Sequence, residues 1–368
     1  MTADADPRAD DLSIDGPVTI ALIAEQAGVS APTVSKVING RKDVSAATRA
    51  RVEAVIEQRG YRRRRGPLGA GPGLLDLVFH ELDSPWALQI IAGVEQVAGK
   101  NRMSVVLSEL GGEHRPRQEW LDDVLRRRPR GVIFVLSELD PAQRSQLSTR
   151  SIPYVLVDTA GEQPPGVPTV GSANWAGGLA ATRHLLALGH RRIAMISGPA
   201  DVLCSRARVD GYRSALEEAG VPQDPSFVRY GDFFVGGGYR HGLSLLDRPD
   251  RPTAIFAGSD QQAFGVYEAA RQRGLRIPDD LSVVGFDELP VSRWASPPLT
   301  TVRQPLAEMG SAAAQMLGDL IEGGPLRTNR VELSTELYVR ESTAPPKQPA
   351  LPTQPASPTE YGQKEPGK

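Results

Sequence analysis

The stretch from Val18 to Tyr61 constrains the fold more than any other part of the chain. Apolar residues recur there at the spacing of three short helices, and Gly28 separates the first helix from the second. Thr19, Ser30 and Ser45 each stand directly before an apolar run, where a hydroxyl can accept a hydrogen bond from a free helix N–H. This pattern predicts a helix-turn-helix, whose second helix fits the major groove of DNA.

Each predicted helix has an inward and an outward face. The inward residues are expected to be Ile20, Ile23, Ala24, Ala27, Val34, Val37, Ile38, Ala50, Val52, Val55 and Ile56. The outward face of the second helix keeps Thr33, Ser35, Lys36 and Asn39. Pro32 stands in the first turn of that helix, where a missing N–H is tolerated. An exposed polar face at this place is the part of a helix-turn-helix that meets base edges.

The charge of this region supports a polyanionic partner. Residues 18–65 contain ten Lys and Arg against four Asp and Glu, whereas the whole chain carries a formal net charge of −2. A local excess of positive charge suits the phosphates of double-stranded DNA. A small helical bundle with a solvated basic face would show the same excess. The agreement of turn, caps and charge favours a DNA reader instead.

Beyond its helical pattern, the region resembles the opening of a lac-repressor (LacI/GalR) family regulator. The resemblance rests on Val18-Thr19-Ile20, Ile23–Ser30, Thr33–Gly40, Val44-Ser45, Thr48-Arg49 and Gly60-Tyr61. It implies DNA contacts from Thr19, Ala31, Pro32, Thr33, Ser35, Lys36 and Asn39, of which Ala31, Pro32 and Lys36 hold base-reading positions. Because Ala31 and Pro32 have no side-chain donors, Lys36 would carry most of the polar readout, for example to a guanine O6/N7 edge.

Residues 62–73 read Arg-Arg-Arg-Arg-Gly-Pro-Leu-Gly-Ala-Gly-Pro-Gly and form a linker that departs from the resembled family. Members of that family have a short hinge helix here, with a leucine wedged into the minor groove. The glycines and prolines of this chain oppose a helix. The linker is therefore either a minor-groove contact or a flexible charged tether. The residues that would contact the minor groove are Arg62, Arg63, Arg64, Arg65 and, as the wedge, Leu68.

Length and composition limit the classes of protein to which the chain can belong. The 368 residues allow two or three domains, and a single cysteine, Cys204, excludes an intramolecular disulfide framework. We find neither a signal peptide nor an apolar run of about 18 residues, so we expect a cytoplasmic location and no membrane partner. The polar tails, residues 1–17 and 344–368, are expected to be disordered. The second tail lacks leucine heptads and offers no coiled-coil tetramerisation device.

From about Leu74 to Thr343, strand-like apolar runs alternate with helical ones. The strand-like runs are Leu74–Phe79, Ser104–Leu107, Gly131–Leu136, Ile152–Val157, Arg192–Ser197, Ala254–Ala257 and Ser282–Phe286. The helical runs are Pro85–Lys100, Trp175–Leu188, Ser205–Ala219, Gln261–Gly274 and Pro305–Ile321. Alternation of this kind predicts an α/β fold with doubly wound parallel sheets. About 270 residues is large for one such sheet, so two similar lobes are expected.

The family resemblance continues through this region and implies a periplasmic-binding-protein-like core over residues 74–343. Its markers are His184–Ala194, Ser197-Gly198-Pro199, Arg206–Tyr212, Gly258–Gly265, Ser282–Asp287 and Pro298–Pro305. The N-lobe would hold about 74–172 and 305–329, and the C-lobe about 174–303 and 330–343. The chain would cross between lobes near Ala173, Gln304 and Arg330.

Open α/β sheets bind ligands beyond the carboxyl ends of their strands. The loops expected at that edge carry polar, charged and aromatic side chains that suit a sugar. The predicted effector-binding residues are Glu81, Asp83, Trp86, Asp158, Arg208, Phe233, Asp260, Asp287 and Gln304. By resemblance, Arg208 is the arginine that grips the ligand and Asp287 is the acid that accepts sugar hydroxyls.

Several of these residues have a structural alternative. Arg208 could form a salt bridge on a helix face, Asp287 could cap a short helix, and Asp158 could bond the hinge region. Trp86, like Trp175, could be interface or core. A lone His80 is more often structural than ligand-binding.

Enzyme chemistry finds little support in the sequence. Gly236-Gly237-Gly238 lacks the strand, spacing and downstream acid of a dinucleotide site. One cysteine and five scattered histidines do not form a zinc-ligand pattern, and Cys204 has no identifiable base near it. We therefore expect no catalytic residues, no metal and no cofactor.

The sequence as a whole predicts a homodimeric transcriptional regulator that binds a near-palindromic operator. A repressor of sugar-utilisation genes, released by a mono- or oligosaccharide inducer, is the favoured form. Two alternatives stay open: the same fold with a nucleobase or nucleoside corepressor, and a solute-binding protein that feeds a transporter.

Overall fold

A computed structural model describes residues 18–38, 41, 43–59, 61 and 73–347 of the chain. The predicted DNA contacts Asn39, Arg62, Arg63, Arg64, Arg65 and Leu68 lie outside the described residues, as do the tails 1–17 and 348–368. The part that is described forms an N-terminal three-helix domain and two α/β lobes, in agreement with the predicted fold class.

Three short helices build the N-terminal domain: α1 (Ile20–Gln26), α2 (Ala31–Ile38) and α3 (Ala46–Arg59). Thr19 Oγ1 accepts from Leu22 N at 3.3 Å, Ser30 Oγ from Thr33 N at 3.3 Å, and Ser45 Oγ from Thr48 N at 3.2 Å. All three predicted N-caps are therefore present.

The core of this domain is apolar and small. It consists of Ile23, Ala24, Ala27, Val34, Val37, Ile38, Val52, Ile56 and Tyr61. Gly28 has a φ of 63°, the left-handed conformation expected for the turn between α1 and α2. Ala50 was expected to face inward but is exposed, because Val52 and Ile56 define the buried stripe of α3.

The chain divides into two compact units, the first of which includes the three-helix domain. The first holds the residues up to Asn174, together with Asp201–Arg206 and Gln304–Thr335. The second holds Trp175–Ala200, Ala207–Arg303 and the residues from Glu336 onward. Within the described residues, each unit has one six-stranded sheet.

The sheet of the first unit is parallel throughout, in the order β11-β5-β4-β3-β1-β2. Its strands are β1 (Gly73–Phe79), β2 (Met103–Glu109), β3 (Gly131–Val135), β4 (Tyr154–Val157), β5 (Thr169–Ser172) and β11 (Arg330–Leu333). Its helices are α4 (Pro85–Lys100), α5 (Gln118–Arg127), α6 (Pro141–Thr149) and α11 (Leu306–Glu322). Apolar clusters cover both sheet faces, as a doubly wound parallel sheet requires.

The sheet of the second unit has the order β12-β10-β9-β8-β6-β7, and only β12 runs antiparallel to its neighbour among the described strands. Its strands are β6 (Ile193–Ser197), β7 (Val228–Tyr230), β8 (Ala254–Ala257), β9 (Ser282–Asp287), β10 (Thr300–Arg303) and β12 (Glu336–Tyr338). Its helices are α7 (Asn174–Ala187), α8 (Leu203–Glu218), α9 (Val235–Leu246) and α10 (Asp260–Gln272). Two short 3₁₀ helices, Pro225–Phe227 and Pro290–Trp294, complete this unit within the described residues.

Two sequence-based boundaries differ from the structure. Residues 330–333 were expected in the C-lobe, but β11 pairs with β5 in the first sheet, so the chain leaves the first unit after Thr335. Residues 344–347 were expected to be disordered, yet Ala344 N and O both hydrogen-bond to Ser282 Oγ at 3.0 Å. A buried strand edge thus orders the first residues of the predicted tail.

The glycine run 236–238 lies in α9, which the sequence did not predict because glycine opposes helix formation. The helix exists because α9 and α10 approach very closely. A Cβ on Gly238 would stand 2.2 Å from Gln262 O, and a Cβ on Gly265 would stand 2.2 Å from Val235 O. Packing of α9 against α10 therefore outweighs the low intrinsic helix propensity of glycine.

A buried carboxylate interrupts the apolar strand β1. Asp76 is fully buried, and its Oδ2 accepts from Arg127 Nη2 at 2.9 Å, while its Oδ1 accepts no hydrogen bond among the described residues. Burial raises the pKa of Asp76 above its usual range, and Arg127 opposes that rise. Removing Arg127 would leave a buried charge without compensation.

We expect Arg127→Met to lower the free energy of unfolding by about 1–3 kcal/mol at pH 7, since half-exposed Arg127 is partly screened by solvent. A raised folded-state pKa makes the ionised Asp76 a destabilising group, whose effect grows as pH rises through that pKa. The difference in unfolding free energy between Arg127→Met and the wild type should therefore shrink as pH falls toward about 3.9, the pKa of an aspartate in the unfolded chain. Urea denaturation across this pH range measures it.

The matched control is Arg126→Met, which removes an exposed arginine paired with Asp123. It should change stability by no more than about 0.5 kcal/mol at any pH. Equal losses for the Arg126 and Arg127 variants, or a loss at Arg127 that is independent of pH, would contradict the role given to Asp76.

Candidate DNA-reading and effector-binding sites

The outward face of α2 is the candidate DNA-reading surface. Ala31, Pro32 and Lys36 are exposed, while Val34 and Val37 anchor the helix in the core. The hydroxyl of Thr33 lies 2.8 Å from that of Ser30, so both belong to the cap of α2. The buried stripe of α2 thus determines which side chains remain available to a duplex.

Lys36 is the longest cationic side chain on this face and is half exposed. Its Nζ lies 2.7 Å from Asp43 Oδ2, in the loop between α2 and α3. The hydrogen bond from Lys36 holds the pKa of the Asp43 carboxyl below its usual range. Arg41 N donates to Lys36 O at 3.0 Å and Arg49 Nη2 donates to Arg41 O at 2.6 Å, so the loop is tied to both helices.

Backbone strain marks the carboxyl ends of several strands. Leu136 after β3, Asp158 after β4 and Asp287 at the end of β9 have φ values of 49°, 44° and 116°. Phe233, in the loop after β7, has a φ of 66°. Residues other than glycine rarely hold such conformations, and they tend to cluster at functional sites. Asp158, Asp287 and Phe233 are among the predicted effector-binding residues, and Leu136 ends a predicted strand. The strain of their backbones is visible only in the structure.

A charged and aromatic cluster lies at the carboxyl edge of the second sheet. Arg208 on α8 is only 3% exposed, and its guanidinium carbon lies 3.9 Å from the centroid of the Phe286 ring and 5.4 Å from that of Phe233. Arg208 Nη1 donates to Gly258 O and lies 3.9 Å from Asp287 Oδ1. The structure thus brings together Arg208, Phe233 and Asp287, as predicted, and adds Phe286.

Glycines make this close approach possible. A Cβ on Gly178 of α7 would stand 2.3 Å from Arg208 O, and a Cβ on Gly198 would stand 2.1 Å from the Phe233 ring. Ser259 Oγ donates to Phe233 O at 2.6 Å and so secures the strained backbone. The sequence indicated Gly198 only as part of a family marker and did not indicate Gly178, because their contacts come from other elements.

The cluster has the chemistry that a polyhydroxylated ligand needs. A guanidinium donates, a carboxylate accepts, and aromatic rings offer flat apolar faces to C–H groups. The cation–π contact with Phe286 positions the guanidinium plane. Burying a charged guanidinium costs free energy because it loses its water, and partners of this kind offset that cost.

Asp260 was predicted to bind effector, but its carboxylate is committed within the second unit. Oδ2 accepts from Leu289 N at 2.7 Å and from Ser292 Oγ at 2.5 Å, and Oδ1 accepts from Thr301 Oγ1 at 2.5 Å. Burial raises its pKa to about 6 despite these bonds. Asp260 therefore positions the loop that follows Asp287 and is not placed to contact a ligand.

The first unit presents its own polar groups at the carboxyl edge of its sheet. Asp83 is exposed and Glu81 is partly exposed, both directly after β1. Trp86 is partly buried against the apolar core of this unit, and its backbone N–H donates to Ser84 Oγ at 3.2 Å. Trp86 thus packs in part against the core, which is one of the alternatives that the sequence left open, and its effector-binding role stays a prediction.

The sequence did not single out His114, which stacks on His80 with ring centroids 4.9 Å apart and an interplanar angle of 18°. His114 Nδ1 lies 2.8 Å from Leu136 O, at the strained end of β3. Burial, followed by the proximity of His114, lowers the pKa of His80 to about 4. His80 is therefore neutral at physiological pH, and its buried Nδ1 has no hydrogen-bond partner in the described residues.

Asp158 and Gln304 are the last two predicted effector-binding residues. Asp158 is buried after β4, and its backbone N donates to Val170 O at 2.9 Å. Gln304 is also buried, and its Oε1 accepts from Ser172 Oγ at 2.7 Å. Gln304 therefore joins the start of its segment to the end of β5, which is a structural role that the sequence pattern could not separate from binding.

Cys204, at the start of α8, is buried. Among the residues that the structure describes, no group of three or more His, Cys, Asp and Glu converges where a metal ion could be held. Across those same residues, no helix is both long and apolar enough to cross a bilayer.

Comparisons with known proteins agree with this architecture. A sequence profile described as bacterial regulatory proteins, lacI family, matches residues 19–64, and one described as periplasmic binding protein-like domain matches residues 182–343. The HTH-type transcriptional regulator CelR of Thermobifida fusca is 36% identical over 339 residues, which cover 88% of this chain and 98% of the relative.

Two solved structures extend the likeness to three dimensions. A transcriptional regulator CelR–cellobiose complex shares 35% identity with a TM-score of 0.68, covering 88% of this chain and 99% of the other. The lac repressor dimer bound to operator and the anti-inducer ONPF shares 29% identity with a TM-score of 0.65, covering 89% and 100%. The chain therefore belongs to the lacI family of bacterial regulatory proteins, which are transcription regulators and not enzymes.

Proposed function

We propose that this regulator represses genes of sugar utilisation and that a mono- or oligosaccharide inducer releases it from its operator. The observation that carries the proposal is the buried cluster of Arg208, Asp287, Phe233 and Phe286 at the carboxyl edge of the second sheet. Its donors, acceptor and rings match the hydroxyl groups and C–H faces of a pyranose. We place the protein in the cytoplasm, where operator DNA is accessible.

A short β-linked gluco-oligosaccharide is the first candidate effector. The related CelR structure is described as a cellobiose complex. The hydroxyls and C–H faces of such a sugar fit the guanidinium, carboxylate and rings of the cluster around Arg208. Xylo-oligosaccharides share the same pattern of equatorial hydroxyls and are the second candidate.

Operator recognition would depend on α2 in two copies of the chain. Each copy reads one half-site, so a near-palindromic operator mirrors the two-fold symmetry of the dimer. Among the predicted base-reading residues of α2, Lys36 is the one with a side-chain donor, and it would exchange Asp43 for a guanine edge. Asp43 is thus the group that base contacts must displace.

The second unit offers an apolar surface for self-association. Trp294 is 82% exposed and Val291 is 47% exposed, both on the 3₁₀ helix Pro290–Trp294. Large apolar side chains this exposed are commonly covered by a partner. A two-fold axis beside this helix would bring each Trp294 against the same helix of a second copy. The dimeric lac repressor structure supports a homodimer for this chain as well.

Release requires that the sugar and the operator favour different states of the protein. A ligand shifts such an equilibrium only by the difference between its affinities for the two states. A difference of about 1–3 kcal/mol corresponds to a change in operator affinity of roughly 5-fold to 150-fold. Contacts to buried Arg208 and Asp287 are suited to that difference, because they form only when water leaves the cluster.

The test is fluorescence anisotropy of a labelled duplex from the region upstream of this gene, at fixed salt. We expect specific binding that cellobiose or a related oligosaccharide releases at least fivefold. Arg208→Lys should bind the operator as the wild type does but lose the sugar response, because lysine lacks the planar fork of arginine.

Arg213→Lys, an exposed arginine on the same helix α8, is the matched control and should respond normally. Operator binding that is indifferent to every sugar tested would refute the inducer class while leaving DNA binding intact. A normal response of Arg208→Lys would remove Arg208 from the effector site.

We expect Lys36→Ala to weaken binding to the operator by about 1–3 kcal/mol and to relax the preference at one base pair of each half-site. Asp43→Asn, which removes the negative charge from the intramolecular partner of Lys36, should retain that preference. Competition between the operator and single-base variants measures both. A loss for Lys36→Ala that is equal on operator and random DNA would show that Lys36 contacts phosphate rather than bases.

Trp294→Arg is expected to dissociate the dimer, because two copies would bury a charge in place of an apolar ring. Trp294→Phe, which keeps an apolar ring, should remain dimeric. Sedimentation velocity over a range of protein concentrations distinguishes the two. A Trp294→Arg variant that stays dimeric at the lowest measurable concentration would place the dimer interface elsewhere.

A further inference from the structure

The amino edge of the first sheet surrounds the point where the chain enters the core. β1, β2 and β3 run parallel, so all three begin at this edge. Gly73, the first residue of β1, pairs with Met103 of β2, and Leu75 pairs with Gly131 of β3. The loops before β2 and β3 therefore lie on either side of the residue that ends the linker.

These two loops are strongly basic. Their exposed cations are Lys100, Arg102, Arg126, Arg127 and Arg128. Residues 100–102 and 126–130 include no acidic residue. The neighbouring carboxylates are Asp123, which pairs with Arg126, and the buried Asp76, which pairs with Arg127. Of the five cations, Arg126 and Arg127 thus pair with these carboxylates, and Lys100, Arg102 and Arg128 add further positive charge.

Two of these arginines occupy strained backbone positions. Arg102 follows α4 with a φ of 53°, and Arg128 follows α5 with a φ of 55°. Glycine adopts this left-handed conformation at least cost and is the usual residue at such helix ends. The chain follows that rule elsewhere, with Gly189, Gly220, Gly274 and Gly323 after α7, α8, α10 and α11. The exceptions are Arg102, Arg128 and Ser151 after α6, and non-glycine residues in this conformation are candidates for a functional use.

The linker keeps this edge near the DNA reader. Tyr61 and Gly73 are separated by twelve peptide steps, and a step spans at most roughly 3.6 Å, so the two residues lie within about 40 Å of each other. A duplex bound by α2 carries negative charge along its whole length, including the turns beside each half-site. Phosphates on such flanking turns are the polyanion within reach of the basic loops.

We propose that the loops 100–102 and 126–130 form a second DNA-contacting surface, which binds phosphates of the duplex beside the half-site. The proposal rests on operator binding by α2, given above as the proposed function. Phosphate contacts carry no sequence information. This surface therefore strengthens binding to operator and to random DNA by the same factor.

The test uses the full chain with the double substitution Arg102→Gly and Arg128→Gly. Because glycine favours the observed backbone, the melting temperature should stay the same or rise. On a duplex that extends one helical turn beyond each half-site, affinity should fall on the order of tenfold at low salt, for operator and random sequence alike. The slope of log Kd against log salt should become shallower by about 2.

A matched control is the pair Arg240→Gln and Arg271→Gln, which removes the same charge from exposed arginines of the second unit. It should leave affinity and salt slope as in the wild type. Unchanged affinity and slope for the Arg102 and Arg128 variant would overturn the proposal. So would a loss restricted to the operator, since that would indicate base readout.

Failure of the proposed function has a different signature. It would appear as equal affinity of the wild-type protein for operator and random DNA. In that case, the random-DNA measurement still decides whether the two loops contact phosphates.

Discussion

Neighbouring strands pair in parallel along the whole of the first sheet and most of the second, and this pairing sorts the loops of each unit by chemistry. Parallel strands begin at one edge and end at the other, and each return requires a crossover connection, which for most strands here is a helix that covers a sheet face. Predicted effector-binding residues therefore follow strand ends: Phe233 and Asp287 in the second unit, beside Arg208 of α8, and Glu81, Asp83 and Asp158 in the first. The loops that enter β2 and β3 carry the exposed cations instead. One backbone constraint thus separates the predicted effector-binding groups from the proposed phosphate-binding groups within a unit.

Close helix packing is the second requirement of this architecture. Helices that cover a parallel sheet must also pass one another, and the chain uses glycine where backbones touch. A Cβ on Gly93 of α4 would stand 1.9 Å from Ala307 O of α11, and a Cβ on Gly310 would stand 2.4 Å from Ile90 O. The same device joins α9 to α10 and brings α7 against Arg208. Rigid packing of this kind is what allows a charged guanidinium to be held over the Phe286 ring, because a loose neighbour would admit water.

The predicted and observed site residues differ in an informative way. Arg208, Asp287 and Phe233 lie together in the structure. Asp287 follows a strand-like run that the sequence showed, whereas Arg208 lies on α8 and was assigned by family resemblance, and Phe233 follows β7, which the sequence did not predict. Asp260 and Gln304 stand in equally good motifs, yet their side chains bond to Ser292, Thr301 and Ser172 inside their own units. A motif records that a polar residue is needed, but not whether its partner is a ligand or another residue. The stacked pair of His80 and His114 could not be found from sequence, because it joins two loops through space.

The sequence by itself determined the helix-turn-helix, the excess of positive charge around it, and the alternation that specifies an α/β core. These are local properties: caps at Thr19, Ser30 and Ser45, the turn at Gly28, and apolar periods that depend on residues close along the chain. Only the tertiary structure decided that β11 belongs to the first sheet, that the glycine-rich segment of α9 is a helix, and that Asp260 supports a loop. It also decided that two arginines hold left-handed positions beside Gly73. Each of these depends on contacts between segments that are distant along the chain. The energies of those contacts outweigh local secondary-structure propensity, and no local sequence pattern shows them.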